Sequence, residues 1–246
     1  MPAGFEVVNN DGVLQVTENY SNYIYAGKQT ITGVWINAWP EQAYFYTVTI
    51  PVGWVVAFRG IGVDVGLYSA SVSGNNIVYR FFTPQSGLGT PGSASPQCVF
   101  YKFSVNIQPD PATYGLEVYT ASGVLAFSSN GKYMKPVGAW SGQNFLAEAQ
   151  QAPNRRRVLE SYSANRAVFV GGPVGYQLNE PFTFNGLQWW SRQWVYYLVI
   201  GNYGGNLTFT DGFSGMRELG PSNVQIPYRY AAFNQYYIMT IDVTNY

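Results

Sequence analysis

The sequence predicts an all-β protein, an antiparallel β-sandwich or two packed sandwich-like halves, with very little helix. Three observations carry that expectation. Apolar residues recur with period two through most of the chain. Turn residues interrupt them roughly every eight to twelve positions, the spacing of sandwiches and barrels. One hairpin-like phrase is also written twice.

The phrase "GFEVVNNDGVLQV" begins at Gly4, and "GLEVYTASGVLAF" begins at Gly115. With Gly4 set against Gly115 and Gly12 against Gly123, the two keep one register, sharing Gly, Glu, Val, Gly, Val and Leu. Phe5, Val7 and Asn9 alternate with Glu6 and Val8, as a strand requires. "NNDG" then supplies residues that tolerate the positive φ angles of a tight turn, and 13–17 returns as the second strand. "TASG" plays the same part later, so turns are expected at 10–12 and 121–123. A hairpin alone is marginal in water, so each copy must pack on something larger.

The remaining strands are expected at 30–37, 43–50, 54–58, 77–82, 99–108, 167–170, 187–200, 206–210, 224–230 and 236–243. Tyr, Val, Ile, Phe, Trp and Thr fill them, as a pleated, packed surface favours. The best helix candidate is "NFLAEAQQ" at 144–151, capped by Asn144 and stopped by Pro153. The Gly/Ser/Pro-rich segment 83–97 reads as a surface loop. A weaker echo links "YKFSVNI" at Tyr101 to "YIMTIDV" at Tyr237, so each half is expected to open with a hairpin and close with a strand. The halves are 1–110 and 111–246, whether as two units or as one compact β domain.

Composition narrows the function. Charged residues make up 11% of the chain, and 13 Lys and Arg balance 13 Asp and Glu. Such a surface has little self-repulsion, which favours a homo-oligomer or a subunit of a larger assembly. No basic stripe exists to displace counterions, so no nucleic-acid partner is expected. The Arg155, Arg156, Arg157 cluster reads as a solvated turn. No Lys or Arg precedes Lys28 and no long apolar run follows Met1, so no signal peptide is expected. The dense apolar run at 195–200 is too short to span a bilayer, and no membrane insertion is expected.

The chain has no histidine and a single cysteine, Cys98. Histidine-dependent nucleophilic catalysis and ordinary zinc sites are thereby excluded. Cys98 reads as a small apolar filler, since nothing is present to activate a thiolate. No nucleotide or nucleophile-elbow motif occurs, and no cofactor, metal or catalytic residue is expected. Calcium held by carboxylates and carbonyls stays open. So does a carboxylate pair of glycosidase type, drawn from Glu41, Asp64, Glu148, Glu160, Glu180 and Asp211. Surface carboxylates are the preferred reading of these acids, and the chain is expected not to be an enzyme.

The most conspicuous stretch is "LQWWSRQWVYYLVI". Alternation sets Trp190, Arg192, Trp194, Tyr196 and Leu198 on one face, and Trp189, Ser191, Gln193, Val195 and Tyr197 on the other. Trp189, Trp190, Arg192, Trp194 and Tyr197 are therefore the candidate contact residues. They form either a packed core or subunit interface, which is preferred, or an exposed platform for a host receptor such as a glycan.

"MPAGFEVVNNDGVLQV", "YGLEVYTASGVLAFSSNGKYMKPV" and the closing "YYIMTIDVTNY" together resemble a family of small tail proteins of tailed bacteriophages. The resemblance covers about fifty residues in three islands. It implies a virion protein of the distal tail or its fibres, made in the host cytoplasm, whose partners are other phage tail proteins. A trimer is the preferred oligomer, because tail fibres commonly have threefold symmetry. A receptor-binding tail protein is the alternative. The family supplies no established binding residue to carry over.

Overall fold

The computed structural model describes residues 6–8, 14–17, 23–38, 41–84, 95–108, 111, 114–120, 122–142, 156–161, 165–184, 188–203, 206–222, 229–233 and 235–246. Within these, only the backbone is described for 6–8, 14–17, 38, 41, 156–157, 175–194, 202–203, 211–222 and 229–233. The fold is all-β, with no helix among the described residues. The helix expected at 144–151 lies outside them.

The strands run in order β1 (Glu6–Val8), β2 (Leu14–Thr17), β3 (Ile24–Thr32), β4 (Val34–Ala38), β5 (Glu41–Pro51), β6 (Trp54–Gly60), β7 (Gly66–Ser73), β8 (Asn76–Pro84) and β9 (Gln97–Ser104). They continue as β10 (Glu117–Tyr119), β11 (Leu125–Ser128), β12 (Pro136–Gly142), β13 (Arg156–Ser161), β14 (Arg166–Val170) and β15 (Gly175–Phe184). The chain closes with β16 (Gln188–Tyr203), β17 (Asn206–Ser222), β18 (Arg229–Phe233) and β19 (Tyr236–Asp242).

The repeated phrase folds twice into the same object. Glu6, Val7 and Val8 pair with Thr17, Val16 and Leu14; Glu117, Val118 and Tyr119 pair with Ser128, Phe127 and Leu125. Both ladders break register after the central valine, so even the bulge is duplicated. Gly115 and Gly123 both have positive φ, which only glycine adopts freely, and that explains why the repeat keeps its glycines in the second copy. The turn expected at 121–123 is present with Gly123 at φ 79°; residues 10–12 lie outside the described residues.

The large sheets extend the duplication. One six-stranded sheet has the order β12-β19-β14-β6-β9-β3. Counted inward from either edge, it runs the strand after a hairpin, the last strand of a half, then a middle strand. The echo strands β9 and β19 occupy equivalent places. The halves meet where β6 and β14 pair, at Phe58 and Val168. The opposing layer holds a four-stranded sheet, β4-β5-β8-β7, and a five-stranded sheet, β13-β17-β16-β15-β18. Here β5-β8-β7 and β13-β17-β16 correspond, and a bridge from Val65 to Ile200 joins the two sheets.

Alternation then sets the core. Val56, Phe58, Cys98, Phe100, Val168, Val170, Tyr236 and Ile238 face inward from the six-stranded sheet. Tyr46, Val48, Ile50, Phe81, Leu198, Ile200 and Phe209 meet them from the opposing layer. On the outer face of the six-stranded sheet a second cluster forms around Ala57, Tyr101, Phe103, Ala167, Ile241 and Val243. Tyr23, Tyr25, Met134 and Tyr246 pack against it.

Two expectations are corrected. The strand expected at 30–37 is two strands in different sheets, broken at Gly33. A Cβ there would lie 3.0 Å from the Tyr44 side chain and 3.2 Å from that of Tyr46, so the crossing is tight and a small residue suits it. Arg156 and Arg157 are not in a turn; they belong to β13, opposite Thr210 and Phe209.

Candidate interaction surfaces

The aromatic stretch forms β16, a central strand paired along both edges. Its register to β15 runs from Gly175–Tyr197 to Phe184–Gln188, and its register to β17 from Trp189–Ser222 to Tyr203–Asn206. Trp189 stands opposite Thr183, Trp190 opposite Phe182, and Trp194 between Leu178 and Met216. Arg192 stands in register between Glu180 and Glu218. The side chains of these four residues lie outside the described set.

Tyr197 is half-buried. Its ring lies 5.0 Å from Tyr68 and 5.6 Å from Phe82, within the cluster built on Ala43, Phe45, Phe82 and Val199. The Arg80 guanidinium caps the Phe45 ring at 4.7 Å. On the other face, Tyr196, Leu198 and Ile200 enter the main core. The end of β16 is thus packed on both faces, as a strand lying between layers must be.

Of the six candidate carboxylates, Asp64 and Glu160 are the two whose side chains are described. Glu160 accepts a 2.9 Å hydrogen bond from Arg166 Nε and a 3.2 Å bond from Thr240 Oγ1. Arg166 also reaches Asp242, 3.6 Å away, and so ties β13 of one layer to β14 and β19 of the other. Two Thr244 hydrogen bonds, through side chain and backbone, hold the Asp242 carboxyl below its ordinary range, and Arg166 and Lys135 add to this. Asp64 is buried with its own interactions. Glu41, Glu180 and Asp211 lie in β5, β15 and β17, and Glu148 is outside the described residues. No three His, Cys, Asp or Glu among the described residues come close enough to hold a metal ion. Cys98 is fully buried, and burial raises its thiol well above the ordinary range.

Two apolar surfaces lie exposed among the described residues, and the second was not singled out from sequence. The first is the β10–β11 hairpin. Its inner side is anchored: Phe127 stacks on Tyr133 at 4.9 Å, and Ser128 N donates to the Tyr133 hydroxyl at 2.7 Å. Tyr114 (88%), Leu116, Tyr119 and Val124 are exposed on and beside it. The matching positions of the first hairpin are Ala3, Phe5, Val8 and Val13, apolar in every case.

The second surface is a groove of about 270 Å³ lined by Ala139, Trp140, Ser141, Phe169, Tyr237, Ile238 and Met239. It lies on the outer face of β12, β19 and β14. Cross-strand pairing puts Ala139 beside Met239, Met239 beside Phe169, and Ser141 beside Tyr237. Small Ala139 and Ser141 leave the hollow, and large Phe169, Met239 and Tyr237 wall it. No family model, curated protein or solved structure matches this chain. Its function is therefore argued from these surfaces and from the sequence.

Proposed function

We propose that the chain is a structural protein of a bacteriophage tail, at the distal tip or in a fibre. The observation that supports it best is the duplicated hairpin. Each copy is a two-stranded sheet separate from the large sheets. The second copy exposes Tyr114, Leu116, Tyr119 and Val124, and the first is apolar at the same positions. A lone hairpin gains little stability by itself, and exposed apolar residues in a cluster mark protein contacts. Two equivalent apolar cassettes suit a subunit held at two places by its neighbours. The low charge of the chain supports the same reading.

The three-island sequence resemblance is what turns "assembly subunit" into "tail protein". The alternative, a receptor-binding tail protein, needs exposed aromatics at a distal tip. The placement of β16 in the middle of a sheet favours the structural role over that alternative. Proteomic analysis of gradient-purified particles from a phage carrying this sequence tests the proposal. The chain should be present in stoichiometric amount and missing from tail-less particles. Its absence from intact virions would overturn the assignment.

A further inference from the structure

The ion network around Arg166 belongs to one half of the duplication alone. Val168 stands opposite Thr240 as Trp54 stands opposite Ser104, which aligns β14 and β19 with β6 and β9. On that alignment the places of Arg166, Thr240 and Asp242 are held in the first half by Val52, Ser104 and Asn106. The first half is neutral where the second is charged, and Val52 is exposed where Arg166 is largely covered. β13 hangs on this network. It is an edge strand, paired with β17, and its Val158 is exposed. Leu159 packs on the main core, and Glu160 supplies a polar tie to the facing sheet through Arg166 and Thr240.

We infer that this network is an acid-released latch: protons on Glu160 and Asp242 free β13 from the six-stranded sheet while the first half stays closed. The driving group is Arg166. A guanidinium keeps its proton in a protein, so its charge persists when the carboxylates beside it are neutralised. Its side chain is 17% exposed and lines a small cavity with Phe58, Val168, Ile200 and Leu207. A cation among apolar side chains is strongly unfavourable once its carboxylates are neutral, and it gains water by parting β13 from β14. The other charged or titratable groups near these carboxylates reinforce this. Lys135 lies beside Asp242, and Arg59 on β6 lines the same cavity as Arg166, so both add to the positive charge left in acid. The Tyr246 phenol, which also feels Asp242, is neutral there. Hydrogen bonds from Thr244 hold the Asp242 carboxyl below its ordinary range. Its share of the stabilisation is therefore complete above about pH 4 and is lost as pH falls below that. The inference does not rest on the tail assignment.

Amide hydrogen exchange of the purified full chain at about pH 7 and about pH 3, corrected for intrinsic exchange rates, tests it. Amides of 156–161 should lose protection by roughly tenfold or more in acid, while those of β6 and β9 keep theirs. Glu160→Gln combined with Asp242→Asn, with Arg166 left in place, should expose 156–161 already at neutral pH. Adding Arg166→Met to that pair should restore protection at both pH values, because the charge that drives release is gone. A merely stabilising ion pair gives the opposite result, with the triple variant as open as the double, and that result would overturn the inference. So would protection of 156–161 that is unchanged in acid, or that is lost in step with β6 and β9. The parent chain and the triple variant decide the matter even if the double variant fails to fold.

Discussion

At the residue scale, the shared glycines of the repeat are backbone devices and can be separated by their angles. Gly123 has φ 79° with open space around it, close to the left-handed region that Asn also tolerates. Gly115 has φ 126°, where Asn gains nothing. Gly123→Ala should therefore cost about 1–2 kcal/mol, and Gly123→Asn much less. At Gly115 both substitutions should cost at least that, since a Cβ would also displace the Ser129 hydroxyl. Denaturant midpoints of the four variants check this, and an Asn rescue at both sites would contradict it. A second residue with a clear signature is Tyr246. Its ring packs on Tyr25 and Phe103, its hydroxyl donates to the Tyr133 carbonyl, and its backbone oxygen accepts from Lys28 Nζ at 2.7 Å. Burial, with Asp242 assisting, pushes its phenol up to about 12. A raised folded pKa means the unfolded state releases this proton first. The stability it contributes is full below the ordinary tyrosine value near 10 and is lost as pH rises toward 12. Tyr246→Phe should be less stable at neutral pH, having lost a hydrogen bond, yet lose less further stability between pH 10 and 12. Thermal melts across that interval decide it, and an unchanged alkaline slope would refute the assignment.

At the scale of elements, β16 carries the most consequential prediction. Because it is central in its sheet and enters two clusters at its end, Trp190→Ala or Trp194→Ala should cost about 3–5 kcal/mol and yield incomplete assemblies. Thermal denaturation measures the first effect and particle counts the second. Normal stability and assembly with lost adsorption to cells would instead make the strand a receptor site. The elements also account for what the sequence made legible. Central strands such as β5, β6, β8 and β14 bury one or both faces, so their Val, Phe and Tyr patterns are plain to read. β7, β12, β13 and β15 pass unnoticed; the first three lie at the edges of their sheets, while β15, central between β16 and β18, has its apolar pattern interrupted by Asn179, Glu180 and Pro181. An edge strand is held by one neighbour and need not be apolar: β7 carries Ser69, Ser71 and Ser73, β12 carries Pro136, Gly138 and Gly142, and β13 begins with arginines. The groove is hidden for the same reason. Its hollow comes from Ala139 and Ser141 on an unread strand, and only pairing brings them beside Tyr237 and Phe169. Asp242 likewise becomes part of an ion network only when β13, β14 and β19 converge on Arg166.

At the scale of the whole molecule, the repeated strand order raises the question of whether each half is a folding unit. The main core says otherwise. It draws Tyr46, Phe58, Phe81 and Phe100 from the first half and Val168, Leu198, Phe209 and Ile238 from the second, in one continuous cluster. The halves are also joined by backbone hydrogen bonds in both layers: Val65 N donates to Ile200 O at 3.0 Å, and Ile200 N donates to Val65 O at 2.8 Å. Cutting there exposes apolar surface worth roughly 25 cal/mol per Å², against a net stability of only about 5–15 kcal/mol for a typical domain. A fragment 1–110 should therefore stay unfolded alone, and the full chain should melt in one transition. Gly66 tests the seam without cutting it. A Cβ there would lie 2.4 Å from Leu198 O and 2.8 Å from the Phe82 ring, and neither neighbour can give way without moving β16 against β8. Gly66→Ala should lower stability by about 1–3 kcal/mol while the transition stays single, because the wedge strains a shared core. Calorimetry distinguishes the alternatives. If the variant splits the melt in two, or the 1–110 fragment shows a cooperative transition of its own, the halves are independent domains that happen to touch.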